Sequence, residues 1–135
     1  MHFSLFYIWI MHQVIYTPNA PEPIGPYSQA TLAGNTLYVS GQIPIDPASG
    51  ELVMTSIEAE TAQVMKNLEA ILTAAGTTFA HVVKCSIFVS DMNNFAQVNE
   101  IYGKSFVSNP PARETVEVSC LPKHVNVEIS CIAIV

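Results

Sequence analysis

Apolar residues recur along this chain with two different periods. Ile57, Thr61, Val64, Leu68, Ile71, Leu72 and Ala75 fall at helical spacing and predict a helix over 56–75. Thr55 and Glu58 suit a capping box at its start, and Gly76 suits the position just past its end. Glu58, Glu60, Lys66 and Glu69 fall mostly outside the apolar stripe. A second helix is expected over 92–106, capped by Asp91, with Phe95, Val98, Ile101 and Tyr102 turned inward. A period of two governs most of the rest. Segments 27–33 and 36–42 flank Gly34-Asn35, a two-residue hairpin signal of type II′. Segment 82–89 is mostly apolar on both faces, as an interior strand is. In 113–120, Val116, Val118 and Cys120 point one way and Arg113, Thr115, Glu117 and Ser119 the other. In 125–135, Val127, Ile129, Cys131 and Ala133 oppose Asn126, Glu128, Ser130, Ile132 and Ile134. A short strand at 14–16 opens the domain.

The resulting order, β-β-β-α-β-α-β-β, predicts an α+β fold: one mixed β-sheet with both helices packed on one face. The other face carries Ile132 and Ile134 and needs a cover, which a second subunit would supply. Residues 1–10 are apolar and aromatic but too short to span a bilayer. They lack the basic start and small-residue cleavage site of a signal peptide. Residues 1–12 therefore read as a non-core extension, with Met11 an alternative start, and 13–135 as one domain. No other stretch is a candidate membrane helix.

Composition sharpens this picture. Of 135 residues, 50% are hydrophobic and only 12% charged, about half the charge of an ordinary soluble domain. That excludes intrinsic disorder and suggests that part of the surface is covered in a homo-oligomer. Four lysines, the single arginine Arg113 and a net charge of −6 weigh against nucleic acid as a partner, which would call for a basic stripe. Cys85, Cys120 and Cys131 form no C-x-x-C pair and have no histidine at zinc spacing. All three fall in predicted strands and read as buried free thiols of a reducing cytoplasm, with no metal site expected.

The sharpest chemical features are Arg113 and Glu128. Both sit on the mixed, partly polar face of their strand, the face expected to look away from the helices. An arginine fork there suits a carboxylate, and a glutamate nearby suits a water to be deprotonated. Ordinary strand-surface charges, or an ion pair, are the plain alternative. In a simple hairpin around 121–124, Glu128 would face about Glu117. Another strand order, or another subunit, is needed to bring it to Arg113. Tyr27 and Ser40 offer hydroxyls that could donate to a carboxylate or an imine nitrogen, and Asn99 an amide. Packing or capping would explain each as well. There is no Ser-His-Asp order and no phosphate-cradling glycine loop.

Several short motifs occur in a fixed order. Ile24-Gly25-Pro26-Tyr27 precedes Ser40-Gly41-Gln42-Ile43-Pro44. Pro111-Ala112-Arg113, Val116-Glu117-Val118, Leu121-Pro122 and Val127-Glu128-Ile129 follow, with Ile132-Ala133 after them. The set resembles the Rid family, and most closely its reactive intermediate deaminase A branch, over about 14–135. The resemblance implies a chorismate-mutase-like α+β fold and a homotrimer with three sites in the clefts between subunits. It implies cofactor-free hydrolysis of 2-imino acids such as 2-iminobutanoate and 2-iminopropanoate, or their enamine tautomers, to 2-keto acids and ammonia. By position, Arg113 matches the family's carboxylate-binding arginine and Glu128 its water-holding glutamate. Tyr27, Ser40, Gly41 and Asn99 match pocket positions, and Thr115 would contribute its backbone N–H. Two departures stand out. Some relatives carry a cysteine where this chain has Thr115, and the loop 107–110 looks shorter. Two rival activities are an endoribonuclease or translation inhibitor, which the acidic charge disfavours, and a non-catalytic module that binds small carboxylates or acts as a chaperone.

Overall fold

The computed structural model describes residues 11–135, and the expectation for residues 1–10 lies outside them. Strands β1 (Gln13–Ile15), β2 (Ala30–Ala33) and β3 (Thr36–Gln42) precede helix α1 (Ile57–Ala74). Strand β4 (Val82–Val89), helix α2 (Phe95–Gly103), β5 (Ala112–Glu117) and β6 (Val127–Ile134) follow. The six strands form one sheet in the order β1-β2-β3-β6-β4-β5. Every pairing is antiparallel except β4 with β5. That parallel pair needs a crossover, and α2 supplies it. The α+β class, the element order and the placing of both helices on one face match the sequence expectation.

Local chemistry explains the boundaries. Ala33 pairs with Thr36 around Gly34-Asn35, and only Gly34 of the two takes positive φ (+61°), as a type II′ turn requires. The strand expected from residue 27 begins only at Ala30. Gln29 is buried there and spends its side chain on the backbone of another segment. It accepts from Thr17 N–H at 2.8 Å and donates to the carbonyls of Thr17 at 3.0 Å and Pro21 at 2.9 Å. Helix α1 is capped by Ser56, whose Oγ accepts from Ala59 N–H at 3.0 Å. The cap is thus one residue later than the Thr55 box expected. Asp91 does cap the second helical segment, accepting from Asn93 N–H at 2.9 Å. That segment starts as a 3₁₀ turn at Met92–Asn94, and α2 ends at Gly103, short of the expected Phe106.

One face of the sheet packs on the helices. Leu37 and Val39 of β3, Val127, Ile129, Cys131 and Ala133 of β6, and Cys85, Ile87 and Val89 of β4 are buried there. Val64, Leu68, Ile71 and Leu72 of α1 and Val98 and Tyr102 of α2 close the core over them. Three polar residues go in with α1: Thr61, which belongs to the expected apolar stripe, Asn67, and Glu60 against expectation. Glu60, expected on the outer side, is 1% exposed. Its carboxylate accepts from Asn126 N–H at 2.9 Å and from Asn126 Nδ2 at 2.6 Å. Asn67 is fully buried and donates to the Ile45 carbonyl at 2.9 Å and the Ile43 carbonyl at 3.2 Å. These bonds pin α1 to the turn before β6 and to the segment after β3.

The opposite face is open and partly apolar. Tyr38, Val116 and Ile134 are 50%, 42% and 37% exposed, while Phe88 and Ile132 are half-buried. Cys85 and Cys131 are buried free thiols, as expected, but Cys120 is exposed. It lies past the end of β5, with its sulfur 3.3 Å from His124 Nδ1. Among the described residues, no helix is long and apolar enough to cross a membrane.

Removing the Glu60 carboxylate strands both partly buried Asn126 donors. Glu60→Ala is expected to cost about 2–3 kcal/mol of stability, read as a lower urea midpoint at unchanged slope.

Candidate functional site

Strand alternation places Arg113 and Glu128 on opposite faces of the sheet. Arg113 pairs in register with Cys85, which pairs with Cys131. That row belongs to the helix-covered face. Val116 pairs with Phe88 and Phe88 with Glu128, and that row belongs to the open face. The expectation that both residues look away from the helices is therefore corrected for Arg113. The hydrophobic parity of 113–120 misled, because Val116 faces the open surface and Val118 packs on a small separate cluster of Ile43, Ile45, Leu121 and Val125 rather than on the helix-covered core. Along the backbone the two residues are three positions and two strands apart, roughly 14 Å. The observed strand order, with β4 between β5 and β6, does not bring them together within one chain.

Each residue has its own surroundings. Arg113 is half-buried at the sheet edge beneath α2, and its Nη1 donates to Asn99 Oδ1 at 2.7 Å. The salt bridge formed among the described residues is Lys84–Glu114, at 3.1 Å, so Arg113 has no carboxylate partner among them. The hydroxyl of Thr115 is buried without a partner. Val118 donates its N–H to the Val89 carbonyl at 2.9 Å. By alternation the N–H of Thr115 points the other way, out of the sheet edge. A guanidinium with donors to spare and an outward backbone N–H are thus carried on one edge strand.

Glu128 is half-buried on β6, with Phe88 directly across from it. On its other side the sheet has a bulge. Val39 pairs with Cys131 and Gln42 with Ile129, so Ser40 and Gly41 together oppose Ser130. The bulge brings Gly41 against Glu128. A Cβ on Gly41 would stand 2.8 Å from Glu128 Cδ and 3.1 Å from Oε2. Burial pushes the Glu128 carboxyl above the usual carboxylate range, and no other cause acts on it. A carboxyl raised in the native state contributes stability in acid and loses that contribution as pH rises through its native value.

The two hydroxyls differ. Ser40 Oγ donates to the Ser28 carbonyl at 2.6 Å, so its proton is already committed and only its lone pairs remain. The Tyr27 hydroxyl accepts from Ile24 N–H at 3.2 Å and keeps its proton. Tyr27 and Gly41 line the same small cleft, with Ile24 and Ile43. The predicted residues therefore fall into two sets: Tyr27, Ser40, Gly41 and Glu128 in one, and Asn99, Arg113 and Thr115 in the other. A separate groove of about 530 Å³, lined by Asn19, Asp46, Gln63, Lys66 and Glu69, contains none of them. The apolar wall that Phe88 gives Glu128 was not among the predicted site features. The alternation of 82–89 was the signal available for it.

Comparison with known proteins follows this geometry. A sequence model of the family described as Endoribonuclease L-PSP matches residues 17–135. The chain is similar to human 2-iminobutanoate/2-iminopropanoate deaminase, at 48% identity over 125 residues, covering 93% of this chain and 91% of that protein. It is similar to the solved structure of a Rid-family protein of unknown function from Yersinia pestis. That match has a TM-score of 0.90 at 53% identity and covers 93% of this chain and 100% of the other. It is also similar to E. coli TdcF, solved with bound serine, with a TM-score of 0.87 at 36% identity over 91% of this chain and 98% of that one.

In solution, the Glu128 carboxyl carbon is expected to titrate by NMR above the ordinary glutamate value of about 4.3. Phe88→Ser, which wets that wall, is expected to bring the midpoint down. A midpoint at or below the ordinary value contradicts the burial argument.

Proposed function

The chain belongs to the Endoribonuclease L-PSP family, that of the Rid proteins, and from that premise we propose that it hydrolyses 2-imino acids to 2-keto acids and ammonia. The observation that carries the proposal is the state of its one arginine. Arg113 is held by an amide rather than by a carboxylate, which leaves the fork free for the carboxylate of a ligand. The name of the human relative and the amino acid bound by TdcF support the same substrate class.

In this reading Arg113 and the outward N–H of Thr115 hold the substrate carboxylate and so fix the position of C2. Glu128 accepts a proton from a water as its oxygen bonds to C2. The C=N bond becomes a C–N single bond and the nitrogen takes up a proton, donated by the Tyr27 hydroxyl. The hydroxyl proton of the resulting carbinolamine passes to the amine nitrogen, which leaves as ammonia as the C=O of the keto acid forms, and the proton held by Glu128 returns to the Tyr27 oxygen through solvent. Every group required is a side chain or a backbone amide, so the scheme uses no cofactor. Because the two sets of residues lie on different faces of one chain, the complete site takes Arg113 from one copy and Glu128 from another. A homotrimer closing the open faces of its sheets on one another meets this need. It also covers Tyr38, Val116 and Ile134. The bulge at Ser40-Gly41 serves the reaction by fixing Glu128 from its other side. An RNA-cleaving role has less support, since a chain of net charge −6 with one arginine has little electrostatic affinity for phosphate.

The direct test follows 2-oxobutanoate or ammonia formation from freshly generated 2-iminobutanoate. Wild type is expected to accelerate it. Arg113→Ala should lower kcat/KM about 10- to 100-fold through lost carboxylate binding, and Glu128→Gln about 100-fold or more. Wild-type kcat/KM should rise with pH through a step above the ordinary glutamate range, as Glu128 ionises, and this step should be absent in Glu128→Gln. Gly41→Ala, whose methyl would stand 2.8 Å from Glu128 Cδ and 3.1 Å from its Cγ, should displace the carboxylate and lose activity, at a stability cost of about 1–3 kcal/mol. An Arg113→Ala rate equal to wild type rejects the assignment of Arg113. Light scattering should give three chain masses, and a monomer with full activity rejects the shared site.

A further inference from the structure

Arg113 is gripped by one stripe of α2. Phe95, Asn99 and Tyr102 stand at positions i, i+4 and i+7 of that helix and so share a face. All three meet the same side chain. The guanidinium carbon lies 5.6 Å from the centre of the Phe95 ring and 5.0 Å from that of Tyr102. Both distances are within reach of a cation–π attraction. Nη1 reaches Asn99 Oδ1 at 2.7 Å. Tyr102 is the firmest of the three. It is 5% exposed, and its ring packs on Phe106 at 4.7 Å between centroids. Phe106 in turn meets Phe79 edge-on at 5.4 Å. The Tyr102 hydroxyl is buried and bonds no nitrogen or oxygen. The Cys85 thiol lies beside it, and what the side chain turns to Arg113 is its ring face.

We propose that Tyr102, with Phe95 and Asn99, is a positioning residue: it sets the plane and reach of the Arg113 guanidinium and thereby the affinity for the substrate carboxylate. The proposal rests on the deaminase reading above. A free arginine loses rotamer freedom each time it binds a ligand. One already held between rings gives up that freedom on folding instead. The three holders are also neutral. Rings and an amide fix the cation without cancelling its charge, while a carboxylate in their place would occupy the fork. Asn99 takes one N–H and leaves the other guanidinium donors for the ligand.

The test compares KM and kcat for iminobutanoate hydrolysis with calorimetric binding of 2-oxobutanoate, on variants whose unfolding midpoints are also measured. Tyr102→Phe keeps the ring and should stay within about twofold of wild type in both constants. Tyr102→Leu should raise KM about tenfold and leave kcat within about threefold, since the ring acts on binding rather than on the chemical step. Should Tyr102→Leu fail to fold, Phe95→Leu at the more exposed ring should raise KM about threefold instead. Asn99→Asp should weaken ligand binding more than Asn99→Ala, because its charge competes for the fork. A merely structural role for Asn99 predicts the reverse or no difference. The proposal is overturned by a folded Tyr102→Leu with wild-type KM, by Tyr102→Phe as impaired as Tyr102→Leu, or by Asn99→Asp no worse than Asn99→Ala. Any of these with Arg113→Ala still impaired leaves the deaminase reading standing. A wild-type protein that neither speeds imine decay nor binds the keto acid overturns both.

Discussion

Successive side chains of β6 leave opposite faces of the sheet, so the strand that turns Glu128 out must turn Val127 and Ile129 in. A slip of one residue would bury the carboxylate under the helices and expose the valine and isoleucine. The core residues alone make such a slip costly. Glu60 adds a directional hold, because its buried carboxylate takes both the N–H and the side-chain amide of Asn126, two residues before Glu128. A helix on one face thereby fixes the level of a carboxylate on the other. The shared rows Val116–Phe88–Glu128 and Arg113–Cys85–Cys131 follow from that register.

The bulge in β3 works against the same regularity at one point. Without its extra residue, side chains of β3 would stay in phase with β6 and keep one pair per level. With it, Ser40 and Gly41 share one level opposite Ser130, and backbone rather than side chain reaches Glu128. Glycine is needed there for space and not for its backbone freedom, since its φ is not positive. The result is a carboxyl between a glycine and Phe88, raised by burial and without a compensating cation. A carboxyl perturbed in this way has the character that the proposed reaction asks of its base.

Much of this was legible in the sequence. Periodicity placed every helix and strand in order, and the Gly34-Asn35 turn was readable to its type. The failures share a cause. A pattern of alternation tells which residues share a face but not which face is inward, and on an edge strand the apolar side need not be the core side. Val116 and Val118 therefore looked like core, and Arg113 was turned the wrong way. Glu60 was missed for a similar reason: a glutamate is expected outside a helix stripe unless its hydrogen-bond partner is known, and Asn126 lies 66 positions away in the chain. Gln29 and Ser40 depend on partners 12 positions away, whereas Cys120 was misplaced because β5 ends before it. The motifs picked out the candidate residues, but only the strand order shows that they divide into two sets.

That division gives the low charge of the chain a physical meaning. A sheet whose open face is to be covered cannot carry many charges on it, since each would have to be paired or desolvated. Of the charges on that face, Lys84 and Glu114 neutralise one another, and Glu128 stands alone. The parallel crossover through α2 then puts Arg113 on the opposite side, at an edge, where a neutral amide holds it. Keeping the only arginine and the Glu128 carboxylate apart leaves each without the other as a partner within one chain, which is the condition the proposed shared site requires.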